Sequence, residues 1–194
     1  MKTFKKLLFL FAAISLLISC SKSDDMFLND DPIEGNLKSA RNEPVMVSVP
    51  FKADLSVWDH SDYTDPSCGG FPVLFLTMEG SGNITHLGKM TTKMTFCNNT
   101  STGYYYDTDV IFIAANGDEL YASIPEGQIV PNEEDNSTYY VAKFNDPMYF
   151  TGGTGRFEGA SGEALTNAYV HAGTDEWRTD FFSTGTLILV KGKK

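Results

Sequence analysis

The sequence predicts an all-β fold, an eight-stranded antiparallel up-and-down β-barrel, on three observations. Apolar and polar residues alternate with period two through segments enriched in β-branched and aromatic residues. Turn-forming clusters recur about every dozen residues, and no long stretch carries the helical 3.6-residue repeat. Eight such segments with no helix between them are accommodated by a closed ring, because closure leaves no strand edge unpaired.

Taken in order, the predicted strands are Val45 to Val57, Pro72 to Glu79, Ile84 to Cys97, Tyr104 to Ala115, Glu119 to Ile124, Tyr139 to Phe150, Phe157 to Val170 and Arg178 to Val190. The second and third are separated by Gly80-Ser81-Gly82-Asn83, the fourth and fifth by Asn116-Gly117-Asp118, and the sixth and seventh by Gly152-Gly153-Thr154-Gly155. Asn-Gly between apolar runs predicts a type I′ hairpin, whose two central residues both need positive φ. The other connections are longer and acidic: Trp58 to Phe71, Asn98 to Gly103, Pro125 to Thr138 and Ala172 to Trp177. Successive turns of an up-and-down barrel lie at opposite ends, so one end is predicted to be tight and the other to carry the long loops.

That topology brings Cys68, before the second strand, beside Cys97, at the end of the third. In an oxidising compartment a disulfide is the natural reading of this pair. The competing reading, two free thiols or a metal pair, lacks a neighbouring Cys-x-x-Cys or a histidine at ligand spacing.

The N-terminus assigns the compartment. Lys2, Lys5 and Lys6 precede an apolar run from Leu7 to Ile18, closed by Leu17-Ile18-Ser19-Cys20. The order of charge, apolar stretch and small residue resembles a bacterial lipoprotein signal peptide, and the run is too short for a stable membrane span. Residues 1–19 are then removed and the mature chain begins at a lipidated Cys20, whose acyl chains supply a membrane anchor. Ser21 is not the aspartate of an inner-membrane retention signal, and Ser23-Asp24-Asp25 resembles the acidic export tag of surface-displayed lipoproteins. The expected location is the outer membrane, with the cell surface as its extension. Residues 20–43 (Asp24, Asp25, Asp30, Asp31, Glu34, with Pro32 and Gly35) read as an acidic flexible linker, and residues 44–194 as one barrel domain.

The full chain carries 15 basic and 25 acidic residues, a formal charge of −10. Loss of Lys2, Lys5 and Lys6 leaves 12 basic residues and a charge of −13. A chain this acidic is not built to release counterions from a phosphate backbone, which excludes nucleic acid as a partner.

Three segments carry a family resemblance: Ile84-Thr85-His86-Leu87-Gly88, Ala114-Ala115-Asn116-Gly117-Asp118 and Gly152-Gly153-Thr154-Gly155-Arg156-Phe157. In order and placement they resemble a group of uncharacterised secreted bacterial lipoproteins. The last segment also resembles a motif in calycin-like barrels of the allene oxide cyclase type. The resemblance covers most of Pro72 to Val190 and implies a barrel closed by tight glycine turns and a plugging aromatic. No matching catalytic set accompanies it, so the cyclase activity is not carried over.

The remaining constellations are weighed by their chemistry. Gly153-Thr154-Gly155 suggests a phosphate loop, but no Lys-Ser or Lys-Thr and no helix follow, so it reads as a tight turn. His60, His86 and His171 lack zinc-site spacing. Asp59, Asp62 and Asp65, like Glu133, Glu134 and Asp135, lack the glycine and alternating aspartates of a dedicated calcium loop and read as a solvated acidic rim. No cofactor, metal or catalytic residue is predicted. Trp58, Tyr63, Tyr104, Tyr139 and Trp177 fall near the long-loop end, where aromatic faces beside carboxylates suit a glycan or a small apolar ligand; the same rings would serve equally as caps on the core.

The first functional expectation is therefore a lipid-anchored outer-membrane binding or interaction module. A cyclase- or isomerase-like enzyme with its pocket in the bore is the rival, and a purely structural envelope lipoprotein the third. An open bore with convergent polar groups favours the first two; a bore packed with aromatic side chains favours a surface outside the barrel.

Overall fold

The computed structural model describes residues 44–133, 139–171 and 177–193. The expected leader, Cys20 and the acidic linker lie outside the described residues, as do Glu134 and Asp135.

The strands are β1 (Met46–Asp59), β2 (Val73–Ile84), β3 (Gly88–Asn99), β4 (Tyr104–Ala114), β5 (Glu119–Gln128), β6 (Val130–Pro131), β7 (Tyr140–Phe144), β8 (Pro147–Gly153), β9 (Ser161–Leu165), β10 (Ala168–His171), β11 (Arg178–Phe181) and β12 (Thr184–Val190). Eight of them close an antiparallel ring in the order β1-β2-β3-β4-β5-β8-β9-β12, with β12 returning to β1. The short strands β11, β10, β7 and β6 pair with one another outside that ring, starting from β1.

Period-two alternation decides the inner face. In β1, Phe51, Ala53, Leu55 and Val57 are buried while Lys52 and Asp54 between them are exposed. Met90 and Met94 of β3, Val110 and Phe112 of β4, and Leu120, Ala122 and Ile124 of β5 complete that wall. The glycine-turn half of the bore is filled: the Phe51 ring lies 4.7 Å from Phe150 and 6.4 Å from Phe112. Phe157, fully buried on a one-turn 3-10 segment (Gly155–Phe157), closes that end beneath Arg156.

Three local expectations are corrected. Gly80-Ser81-Gly82-Asn83 is not a turn; it lies inside β2, and the turn is Thr85-His86-Leu87, with His86 at φ 68°. The two glycines serve close approach to β1: a Cβ on Gly80 would lie 2.7 Å from Val57 Cα, and one on Gly82 would lie 2.5 Å from Leu55 Cα. The Asn116-Gly117 hairpin is not type I′. Gly117 donates to Ala114 O at 2.9 Å, and Gly117 alone within the turn has positive φ, so this is a type I turn followed by a left-handed glycine.

The third correction concerns the last three predicted strands, each of which is two strands, interrupted at Asn145-Asp146, Thr166-Asn167 and Phe182-Ser183. The interruptions are laced together. Asp146 N–H donates to Thr166 Oγ1 (2.8 Å), Thr166 N–H to Asp146 O (3.1 Å), and the Ser183 hydroxyl to Thr166 O (2.6 Å). Thr166 and Ser183 are buried, so these bonds satisfy backbone groups that leave the ladder where the wall bends. The bend lets β1 take two partners in succession, β12 along Met46 to Lys52 and β11 along Leu55 to Trp58.

Candidate functional site

The long-loop half of the bore is organised by a bulge in β4. Thr95 pairs with Asp109 but Cys97 pairs with Tyr106, so β4 holds one extra residue there, and Asp107 takes a φ of 54°. The extra residue reverses the alternation, and Tyr105 and Thr108, three positions apart, both become buried. Strict alternation would have sent one of them outward.

Between them lies a cavity of about 60 Å³, lined among others by Val57, Met78, Met94, Thr108, Ile124 and Phe181. Its upper wall is an arc of rings: Phe96 on Tyr105 (5.8 Å), Tyr105 on Phe144 (5.6 Å) and Phe144 on Phe181 (5.6 Å), all edge-on. The Tyr105 hydroxyl donates away from the bore, to Asp146 Oδ2 at 2.7 Å, and burial together with that bond pushes its pKa well above the ordinary tyrosine value. Thr108 is 3 % exposed and its hydroxyl has no hydrogen-bond partner. That orphan group sits on a mostly apolar wall, to which Thr179 brings a second hydroxyl, and a buried polar atom without a partner calls for an explanation.

The five aromatic residues expected at the rim are not among the cavity's lining. Trp58 follows inward Val57 and therefore faces outward from β1. Tyr139 precedes β7, and its ring meets Tyr140 (4.8 Å) and His171 (4.0 Å) edge-on. Trp177, 64 % exposed, precedes β11 and accepts a backbone bond from Asp59. These three belong to one side of the barrel wall, through the pairing of β1, β11, β10 and β7. Tyr63 lies in the loop after β1 and donates to Asp59 Oδ2 (2.6 Å), which pushes its pKa up to about 12. Tyr104, outward on β4, donates to Glu126 and stacks on Tyr106.

The outer side holds residues the sequence reading did not single out. Asp180, 7 % exposed, accepts from Ser56 Oγ (2.6 Å) and Tyr140 Oη (2.8 Å) and is ion-paired to Arg178 Nε (3.1 Å). Burial and the bond to Asp180 raise the Tyr140 pKa to about 12. Alternation alone could have paired Asp180 with Arg178 on one face; Ser56 and Tyr140 come from strands distant in sequence.

Cys68 and Cys97 form a disulfide with Cα atoms 5.7 Å apart, tying the β1–β2 loop to β3. In that loop the aspartates do not converge. Asp59 accepts from Ser61 N–H, Asp62 from Thr64 and Asp65 from Ser67, each closing a local turn. The Thr64 bonds hold the Asp62 carboxyl below its ordinary pKa. Among the described residues no group of three His, Cys, Asp or Glu is placed to hold a metal ion.

At the tight end, the Gly-Gly-Thr-Gly-Arg-Phe segment positions the plug. A Cβ on Gly153 would lie 2.6 Å from Phe157 Cβ, and Arg156 Nε sits 3.4 Å from Asp118 Oδ2. Comparison of the chain with protein-family models, with curated proteins and with solved structures finds no match.

Proposed function

We propose that the chain is a lipid-tethered outer-membrane binding module that holds a small apolar molecule carrying one oxygen in the long-loop half of its bore. The observation that carries this reading is the unpartnered Thr108 hydroxyl in a cavity whose other lining side chains, apart from Tyr105 and Thr179, are apolar. A ligand oxygen would accept from it while the remaining atoms contact Met78, Met94 and Phe181.

The cavity of about 60 Å³ takes about four water-sized groups, and the flexible methionines allow it to adapt to a slightly larger guest. Holding is favoured over chemistry: Tyr105 is the sole titratable residue on the lining, and its proton is committed to Asp146. The residue pattern at Cys20 supports the tether.

The test is a titration of the intact chain, labelled at methionine methyls, with 2-butanone followed by NMR. Saturable shifts at Met78 and Met94 are expected. Thr108→Val should weaken binding by up to about tenfold, the worth of one neutral hydrogen bond. Absence of saturable shifts, or equal affinity in the variant, overturns the reading.

A further inference from the structure

A single register line crosses six adjacent strands on the outside of the barrel: Lys93 on β3 pairs with Glu79 on β2, Glu79 with Trp58 on β1, Trp58 with Arg178 on β11, Arg178 with His171 on β10, and His171 with Tyr140 on β7. The chain neighbours Met94, Met78, Val57, Thr179 and Val170 line the bore, so the row itself faces out. Five inter-strand steps make it about 24 Å long.

The row combines paired charges with aromatic rings. The two cations are each matched by an acid: Lys93 lies 3.5 Å from Glu79, and Arg178 lies 3.1 Å from Asp180. The row is thus charge-balanced on a chain whose formal charge is −10, and the acidic excess lies elsewhere. Arg178, Asp180 and Tyr140 are fixed by their mutual bonds, and the Tyr139 ring beside them is 47 % exposed. An open groove of about 500 Å³ runs along the Trp58 end, walled by His60, Glu79, Lys93 and Ile113.

We propose that this row is a second binding site, for a neutral linear oligosaccharide lying across the strands. Aromatic faces at Trp58 and Tyr139 stack against sugar rings, while Glu79, Lys93 and His171 exchange hydrogen bonds with hydroxyls. Charge complementarity selects the occupant. A balanced strip bordered by acidic surface suits an uncharged polar chain and repels a polyanion.

Trp58 and Trp177 are the chain's two tryptophans, and both belong to this side, so intrinsic fluorescence reports on it directly. The experiment titrates the intact chain with β-1,4-linked gluco-, manno- and xylotetraose. A saturable emission change with at least one is expected. Trp58→Ala, read by calorimetry, should weaken that binding at least tenfold, or about 1.4 kcal/mol, and His171→Ala by about threefold to tenfold. Tyr149→Ala, exposed on β8, and Thr108→Val, inside the bore, should leave it unchanged. Absence of saturable binding to all three sugars overturns the proposal, as does unchanged affinity in both Trp58→Ala and His171→Ala. Self-association abolished by Trp58→Ala would make the row an interface between copies and equally overturn it.

Discussion

Replacing Thr108 with valine exchanges a buried hydroxyl for a methyl of nearly the same shape. In the ligand-free protein the hydroxyl has no partner and the residue is 3 % exposed, so folding strips it of water without return. Leaving such a group unsatisfied costs about 1–3 kcal/mol, and the added methyl contributes about 0.8 kcal/mol of apolar burial. Valine is also at home in a strand. The expected effect of Thr108→Val is therefore a gain of about 2–4 kcal/mol, which for a domain of this size raises Tm by about 4–16 °C. Urea denaturation of both proteins without ligand measures it, with unchanged slope m showing that the unfolding reaction is the same. A destabilised variant would refute the reasoning, because it would mean that the hydroxyl is satisfied in the folded protein. The same substitution weakens 2-butanone binding, so stability and ligand affinity move in opposite directions.

Two further outcomes test the frame around the cavity. Gly127, buried on β5, lets the Tyr105 ring pass beneath to Asp146; a Cβ there would lie 2.5 Å from Asp146 Oδ2 and closer still to the Tyr105 ring. Gly127→Ala should cost about 2–5 kcal/mol through overpacking and loss of the buried hydroxyl's partner, and a change below about 0.5 kcal/mol in urea would show that the seam gives way freely. Tyr140 has a folded pKa of about 12 against 10.0 for the ordinary side chain, so its contribution is complete below pH 10 and is lost as pH rises through 12. Thermal melts from pH 9 to 12 should fall less steeply for Tyr140→Phe than for the parent, with the other tyrosines held protonated by carboxylates, Tyr105 and Tyr63 among them, supplying the part of the slope that remains; identical slopes would rule out this assignment.

The two proposed surfaces share strands without sharing side chains. Val57, Met78, Met94 and Thr179 face the cavity, while Trp58, Glu79, Lys93 and Arg178, next to them in the chain, form the outer row. The pleat gives the same wall a mostly apolar inner lining and a mixed polar and aromatic outer strip. The break at Phe182-Ser183 lets β11 leave the β12 line and carry Arg178 to Trp58.

What the sequence by itself determined is what depends on local pattern. Alternation set the all-β class and most strand positions, because a period of two places successive side chains on opposite faces; that Phe51, Leu55, Val57, Phe112 and Leu120 are the inward set is read from the structure. The alternation of short and long connections brought Cys68 to Cys97, which the structure joins. Only the tertiary structure decided what depends on contacts remote in the chain. Gly80 and Gly82 have turn composition but serve the passage of β1, and no local signal separates the two uses. The extra residue at Asp107 reverses the faces of β4 and places Thr108 beside Tyr105; a bulge is set by the partner strand's register, which the sequence of β4 does not contain. The outer row is assembled from six strands whose order along the wall includes β1 beside β11, so its residues become neighbours only when β11 pairs with β1.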